Sequence, residues 1–377
     1  MNFDDNEEQR LLAESVRRFV AQDYAFDTRR RVVASAEGYS PAIWKTFADL
    51  GLLGLPISPD HGGFGGGAVD MMSTMEAIGE ALVVEPYLAT VGLGARILGR
   101  AGSDAQRESL LPAIAEGRLK LALAHTEAES RYHLAHVALQ ARSRGEGFAL
   151  DGEKRVVLHA PCADRLLVVA RTSGEQRAPD GISLFLVDVN APGITMRAYR
   201  TLDALRAADV VFRDVALPRD ALVGSVGEGF AILEEAVDFA TALVCAEAVG
   251  AIKSANDATL EYLKTRKQFG VPIGSFQALQ HRMVDMVVSG EQARSMASLA
   301  CTRVDARPSA GERRRIVSAA KVRIADACRH VSQESVQLHG GMGMSEELKV
   351  SHTFRRLTMI ARQFGDADHH LERFARA

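Results

Sequence analysis

The sequence has few cysteines, and they form no cluster. Cys162, Cys245, Cys301 and Cys328 are the only four in 377 residues, and no two have the C-x-x-C spacing of a metal knuckle or redox pair. A disulfide framework and a cysteine-based metal site are therefore excluded, as in proteins of a reducing cytoplasm. Apolar runs of about 20 residues, the length that crosses a bilayer, are also lacking. We predict a cytoplasmic protein with no membrane span and no metal.

The sequence also lacks a surplus of positive charge. The 45 Lys and Arg stand against 48 Asp and Glu, and the cations are spread along the chain instead of forming one stripe. Such a surface cannot neutralise a run of phosphates, so a nucleic acid is not expected as a partner. Residues 1–8 are acidic where a signal peptide would be basic and then apolar, and export is not predicted either.

What is present is a chain long enough for several cores. With 47% apolar and 25% charged residues it is typical of globular proteins, and about 100–200 residues per domain predicts two or three domains. Apolar residues recur at helical spacing over 1–118, short β-rich runs fill 119–219, and long helical periods return over 220–377. We predict an α+β chain with an N-terminal helical domain, a middle β-barrel-like domain and a C-terminal helical bundle.

The segment from Tyr262 to Gln280 carries the strongest motif. A helix is expected to end near Arg266, Gly270 and Pro272 to turn the chain, and Gln277 to begin the next helix. The turn would present the guanidinium of Arg266 beside the ring of Phe269. An arginine binds pyrophosphate through paired charge-assisted hydrogen bonds, and an aromatic ring can contact adenine. The alternative is an ordinary helix–turn–helix with a surface arginine.

A second motif follows at Gln337, with Gly340, Gly341 and Gly343 after it. Glycines let a backbone approach a diphosphate closely. By itself the motif would be weak evidence, because a glycine-rich turn usually only ends a helix.

Together the two motifs resemble the R-x-x-F-G-x-P-I-x-x-F-Q and Q-x-x-G-G-x-G signatures of the acyl-CoA dehydrogenase family. The resemblance implies the family fold with a C-terminal four-helix bundle, and α,β-dehydrogenation of an acyl-CoA with FAD. It also implies that the ADP half of a neighbouring subunit's FAD is bound here, and that Thr126 contacts flavin. The residues that the motifs assign to the ADP half are Arg266, Phe269, Gln277, Gln337, Gly340 and Gly341.

Within the family, three segments are similar to small subunits of pimeloyl-CoA dehydrogenases. They are Pro86–Thr90, Ala124–Glu127 and Phe364–His370. The similarity implies a complex with a large acyl-CoA dehydrogenase subunit and a dicarboxylyl-CoA substrate such as pimeloyl-CoA. Two alternatives stay open, which are a non-catalytic scaffold subunit that completes a partner's FAD site, and an ordinary homo-oligomer, dimeric or tetrameric.

The flavin-ring segments depart from the family pattern. Thr126-Glu127 is not followed by the Pro, Gly and Ser-Asp of T-E-P-x-x-G-S-D, and residues 156–160, Val-Val-Leu-His-Ala, stand where the family has W-I-T-N-G. Aliphatic side chains cannot supply the hydrogen bond of that Thr. The contact of this chain with an isoalloxazine ring is therefore in doubt.

The family positions for the catalytic base are empty. The C-terminal glutamate is replaced by Phe364, and Ala240 and Thr241 stand where isovaleryl-type members carry a base and an arginine. Glu247 is the one charged residue in an apolar helical stretch, about two turns beyond Ala240 on about the same face. Burial would raise its pKa toward the range of a general base, so we predict it as the catalytic candidate. The alternative is a structural carboxylate bonded to a neighbouring helix or subunit.

Overall fold

A computed structural model describes residues 7–377, apart from the side chain of Glu8. Residues 1–6, most of the predicted acidic start, lie outside the described residues. The elements occur in the order helices, strands, helices, which confirms the α+β fold class. The first helices are α1 Glu7–Asp23, α2 Phe26–Ala34, α3 Pro41–Asp49, α4 Ala68–Ala81, a π-helix Leu88–Ala95, α5 Arg96–Ala101 and α6 Asp104–Ala115.

One sheet follows, and its core strands are almost wholly buried. The strands are β1 Leu121–Ala124, β2 Gln140–Arg144, β3 Gly147–Leu158, β4 Arg165–Arg171, β5 Ile182–Asp188, β6 Ile194–Arg200, β7 Arg206–Leu217 and β8 Leu222–Val223. Their order is β6-β7-β3-β2-β4-β5-β8, with β1 pairing in parallel to β4. Leu150, Val168, Phe185 and Phe212 are among the side chains of its core, each at most 1% exposed. This β-branched and aromatic packing explains why the segment reads as β in the sequence.

The last elements are long helices that frame a small hairpin. They are α7 Gly229–Thr265, β9 Lys267–Gln268, β10 Val271–Pro272, α8 Gln277–Asp305, α9 Ala310–His339, α10 Lys349–Ile360 and α11 Ala367–Ala375. No helix among residues 7–377 is both long enough and apolar enough to cross a membrane.

The described residues form two compact units. The helical unit contains the described part of 1–31 together with 67–83 and 241–377, and the sheet unit contains 32–66 and 84–240. The domain boundaries predicted after residues 118 and 219 stay predictions.

In the helical unit, α4 and α7 cross at two glycines. A Cβ at Gly79 would overlap the carbonyl of Glu247, and a Cβ at Gly250 would overlap the carbonyl of Glu76. The N-terminus of α4 is fixed by Asp305 of α8, whose carboxylate accepts from the amides of Ala68 and Val69 at 2.7 and 2.9 Å. These contacts hold the backbone that carries Glu247.

Candidate active site

The segment 262–280 forms an exposed turn between two long helices. Helix α7 ends at Thr265 and α8 begins at Gln277, as the sequence predicts. Between them, β9 and β10 pair through a tight turn in which Phe269 and Gly270 have φ of 54° and 83°. Such a turn needs left-handed backbone at both central positions, which glycine tolerates and phenylalanine rarely adopts. The turn projects the Phe269 side chain outward.

The side chains of this turn face away from the chain's own atoms. Phe269 is 93% exposed, and its ring touches only the edge of the Phe276 ring, with centroids 6.2 Å apart. Arg266 and Gln277 are exposed too. In the described part of the chain no group forms a hydrogen bond or ion pair with the Arg266 guanidinium. An arginine and an aromatic ring left uncovered together are suited to a ligand from outside the chain.

The second motif lies next to the first in the helical unit. Helix α9 ends at His339, and the His339 ring stacks on the Tyr262 ring with centroids 4.4 Å apart and planes at 27°. His339 Nδ1 donates to the carbonyl of Ser335 at 2.7 Å, and burial lowers the pKa of the ring. A neutral imidazole therefore joins the ends of α7 and α9. The two motifs, more than 70 residues apart in sequence, are brought together by this stack.

The glycines after α9 leave room for a ligand. Gln337, Gly340 and Gly341 are exposed, and a Cβ added at Gly340 or Gly341 would meet nothing within 4 Å. Gly343 is different, because a Cβ there would be 2.7 Å from the carbonyl oxygen of Val336. The first two glycines thus leave open space beside the backbone, while the third is required by packing.

In the sheet unit, Thr126 lies two residues after the end of β1. Its carbonyl accepts from the Arg155 amide at 2.8 Å, and its hydroxyl lies 3.3 Å from Nε2 of His125. The next residue, Glu127, is buried and accepts from the amides of Ala138 and Leu139 at 2.7 and 3.1 Å. The segment after β1 is therefore tied back onto the sheet.

Lys154 completes this buried arrangement, and sequence reasoning did not single it out. Its ammonium donates to Glu127 at 2.7 Å, and its side chain is fully buried. Burial lowers the pKa of Lys154 to about 8, although Glu127 opposes the change. The pair stabilises the segment only while both groups stay charged and bonded.

Val156 occupies the position where the family pattern has tryptophan. It lies at an irregularity of the β3–β7 pairing, with φ of 51°, and its side chain is 45% exposed. Its amide donates to Asp209 at 3.2 Å. Burial raises the pKa of the Asp209 carboxyl. Hydrogen bonds from Arg197, the Val156 amide, Arg155 and Tyr199 outweigh burial and hold this pKa well below its usual range. The ionised Asp209 carboxylate thus fixes the irregular backbone at Val156, and the side chain presented there is aliphatic.

Glu247 is buried in a bidentate ion pair. It is 3% exposed, and its two carboxylate oxygens accept from Nε and Nη2 of Arg356 at 2.6 and 2.7 Å. Arg356, on α10, was not expected from the sequence. Both oxygens that could take a proton are engaged, as in the structural alternative, and the catalytic role of Glu247 stays a prediction.

Comparison with known proteins places the chain in a family. Profiles of the acyl-CoA dehydrogenase N-terminal, middle and C-terminal domains match residues 6–118, 122–215 and 227–377. The acyl-CoA dehydrogenase FadE12 of Mycobacterium tuberculosis is 30% identical over 370 residues, covering 96% of this chain and 93% of the relative. The chain belongs to the acyl-CoA dehydrogenase family.

Solved structures agree with this assignment. The ChsE4-ChsE5 complex from Mycobacterium tuberculosis includes a chain 25% identical to this one, with a TM-score of 0.90 and 100% and 98% of the two chains covered. An FAD complex of PigA is 26% identical, with a TM-score of 0.91 over 100% and 98% of the chains. The family consists of FAD-dependent oxidoreductases that act on the CH–CH bond of acyl-CoA, and this chain has that fold and cofactor class.

The residues present fit one half of FAD better than the other. Free space at Gly340 and Gly341 and the uncovered Arg266 and Phe269 fit a nucleotide diphosphate. At the flavin-ring strand, Val156 stands where the family pattern has an aromatic face, and Leu158 stands where it has a hydroxyl. Thr126 keeps its hydroxyl, and its role toward flavin stays a prediction.

The two positions predicted for the base of the acyl-CoA dehydrogenase family are Ala240 and Phe364 in this chain, and neither side chain can take a proton. Ala240 and Thr241 are at most 1% exposed on α7. Phe364 lies in a turn. Its carbonyl oxygen accepts from His370 Nε2 at 3.2 Å, and the carbonyl oxygen of Gly365 accepts from the Lys321 ammonium at 2.7 Å. The carboxylate of Asp366 accepts from the His369 amide at 2.9 Å and so caps α11. These hydrogen bonds fix the turn.

Among residues 7–377, no group of three or more His, Cys, Asp or Glu side chains could hold a metal ion.

Proposed function

We propose that this chain is the small subunit of a heteromeric acyl-CoA dehydrogenase. Its segment 262–280 and the turn after α9 serve the ADP half of a FAD, and a larger partner subunit holds the reactive ring. The substrate is a dicarboxylyl-CoA such as pimeloyl-CoA. In this reaction a base removes a proton from Cα of the acyl group, and FAD, when bound, accepts the hydride from Cβ.

The observation that carries the proposal is the contrast between Arg266 and Val156. The first keeps the family's ligand-binding group with no described bond to occupy it, whereas the second replaces a flavin-facing aromatic by an aliphatic residue. Two relatives whose names place them in complexes of different chains support the heteromeric part of the proposal. One is described as the ChsE4-ChsE5 complex and the other as subunit CarC of the caffeyl-CoA reductase-Etf complex of Acetobacterium woodii.

Purification with and without a partner tests the proposal. The chain alone should contain little FAD, whereas co-expression with a large acyl-CoA dehydrogenase subunit should give a complex with FAD and dehydrogenase activity. Absorption spectra and FAD counted per subunit measure this. A lone chain that elutes as a homotetramer, holds one FAD per subunit and oxidises acyl-CoA would establish the homo-oligomer instead.

The role of Glu247 distinguishes a subunit that supplies the catalytic base from a non-catalytic scaffold subunit. The bidentate pair with Arg356 favours the scaffold, because the arginine occupies both carboxylate oxygens. We expect Glu247→Gln and Arg356→Met each to destabilise the complex by about 3–5 kcal/mol, since each leaves a buried partner unpaired. The kcat of the folded complex should change less than about tenfold in both.

Comparing the two variants separates the roles. If Glu247 is the base, Glu247→Gln abolishes turnover while Arg356→Met, which keeps the carboxylate, does not. If it is structural, the melting temperatures of both variants fall together and the kcat values stay close to that of the wild type. Measuring kcat below the lower melting temperature keeps unfolding out of the comparison.

The substrate class is tested with two thioesters of equal chain length. Pimeloyl-CoA carries a distal carboxylate and heptanoyl-CoA does not. We expect the complex to prefer pimeloyl-CoA by about tenfold or more in kcat/KM, the effect of one charge-assisted hydrogen bond. Equal kcat/KM values would remove the dicarboxylyl part of the proposal and leave the heteromeric part standing.

A further inference from the structure

A cavity of about 630 Å³ opens in the helical unit. Residues of α1, α2, α4, α7, α8 and α10 line it, and none of them is among those assigned above to FAD or to the base. Its volume is within the range of about 300–1,000 Å³ that is usual for small-molecule sites. The cavity therefore requires an account of its own.

Charged side chains of this cavity carry an excess of positive charge. Four cations, Arg17, Lys253, Arg294 and Lys349, line it against two carboxylates, Glu76 and Glu80. Arg294 lies 3.4 Å from Glu76, and Lys253 lies 3.7 Å from Glu80 and donates to Asp257, outside the lining, at 2.7 Å. The other two cations of the lining, Arg17 and Lys349, form no hydrogen bond or ion pair with the described residues.

Among the cations of the cavity, Lys349 would gain the most interaction energy from a bound anion. It begins α10 and is half-buried, and no residue in the described ranges forms a hydrogen bond or ion pair with its ammonium. Burial lowers the pKa of Lys349, with the Glu80 carboxylate opposing. A partly desolvated ammonium gains more from a bound anion than an exposed one does. Arg17, on α1, is exposed and likewise unpaired among these residues.

The rest of the lining is apolar. Val20, Ala21, Tyr24, Phe26 and Ala77 contribute to the wall, and Tyr24 and Ala77 are at most 3% exposed. Two aromatic rings and small aliphatic groups suit a flat or short hydrocarbon body. A bare inorganic ion would leave this surface uncovered, and a neutral apolar molecule would leave the two cations without a partner.

We propose that this cavity binds a small organic carboxylate, with its carboxylate at Lys349 and its apolar body against Tyr24 and Phe26. The site is separate from the acyl-CoA dehydrogenase reaction, and it does not depend on the heteromeric function proposed above.

Titration with 4-bromobenzoate tests the site. Isothermal titration of the full chain, alone and in its co-expressed complex, should show saturable binding at one site. Lys349→Met keeps the aliphatic stem and should weaken binding by about tenfold or more, since it removes a charge-assisted hydrogen bond. Ala21→Phe, at an exposed position of the lining, should block the cavity and abolish binding without disturbing the core. Anomalous scattering from bromine in a soaked crystal should locate the ligand beside Lys349.

The matched control is Lys45→Met, which removes a lysine that is 73% exposed on α3 and lies outside the cavity. It should bind 4-bromobenzoate as the wild type does. Inorganic phosphate provides the second comparison and should bind at least about tenfold more weakly, because it cannot cover the apolar wall. Absence of saturable binding, equal binding by Lys349→Met, equal affinity for phosphate, or bromine located elsewhere would each overturn the proposal.

Discussion

The two regions that we propose for the diphosphate end and the ring end of FAD differ in how their polar groups are bonded. At the diphosphate end, Arg266 and Gly340 are exposed to solvent, and Phe269 is 93% exposed. At the ring end, Glu127 and Asp209 are bonded to amides and cations of their own chain. The first region leaves its polar groups open to solvent or to a ligand. The second region bonds its polar groups within the chain.

This difference separates ligand binding from fold maintenance. Removing the partners of a buried carboxylate destabilises the protein, whereas an exposed arginine contributes little to stability. Variants at the ring end should therefore change unfolding, and variants at the diphosphate end should change FAD affinity. The predictions below are arranged by the size of the effect.

The largest effect is expected for Lys154→Met. It leaves the buried Glu127 carboxylate without its ammonium, bonded 2.7 Å away, and should lower the free energy of unfolding by about 3–5 kcal/mol. Urea unfolding followed by circular dichroism measures the loss. Adding Glu127→Gln should recover part of it, because the uncompensated charge is gone. Lys45→Met, at an exposed lysine, should change stability by less than about 0.5 kcal/mol. A loss below about 1 kcal/mol for Lys154→Met would contradict a structural role for the pair.

A pH dependence of stability should follow from His125, beside Thr126. Burial and then the charge of Lys154 lower its pKa from 6.5 to about 4. The unfolded chain takes up a proton as the pH falls through 6.5, but the folded chain does so only near 4. Stability present above pH 6.5 is therefore lost between these values, by about 3 kcal/mol in all. His125→Gln should flatten this part of the curve, and His281→Gln, at an exposed site on α8, should not. An unchanged slope in His125→Gln would assign the loss to other groups.

At the diphosphate end the effect should fall on the cofactor. Arg266→Ala should weaken FAD binding to the co-expressed complex by about 30-fold, the worth of a charge-assisted hydrogen bond or two, and leave the melting temperature of the apo-complex unchanged. Arg266→Lys should be intermediate, because an ammonium cannot bind in the bidentate manner. Lys264→Ala removes a cation two residues away and is the matched control. Equal FAD affinity in Arg266→Ala and Lys264→Ala would show that the motif serves the turn alone.

Local signals explain what the sequence predicted well. The end of α7, the turn and the start of α8 depend on residues within a few positions of one another, such as Gly270 and Pro272. The pairing of Glu247 with Arg356 joins residues 109 positions apart, and the pairing of Glu127 with Lys154 joins residues 27 apart. No local pattern specifies which distant cation meets a carboxylate. The sequence identifies Glu247 as the one charged residue of its stretch, but it does not predict the pairing of Glu247 with Arg356.

The smallest effect on stability is expected at Val156, the ring-end residue that we contrast with Arg266. A β-branched side chain at φ 51° is strained by about 1–2 kcal/mol. Val156→Gly removes that strain and adds flexibility to the unfolded chain, so the net gain in unfolding free energy should be about 0.5–1 kcal/mol. Val156→Ala, still an L residue with a Cβ, should gain less, and differential scanning calorimetry can resolve the two.

A loss of stability in Val156→Gly would mean that the valine side chain, not the backbone, has been selected at this bend. A gain would mean that the Asp209 bond at 3.2 Å imposes the left-handed backbone whatever residue stands there. In that case the ring end has kept the backbone geometry of a flavin-binding strand after losing its side chains. That outcome would sharpen the contrast with Arg266, since one end would preserve the framework of a site and the other its ligand-binding groups.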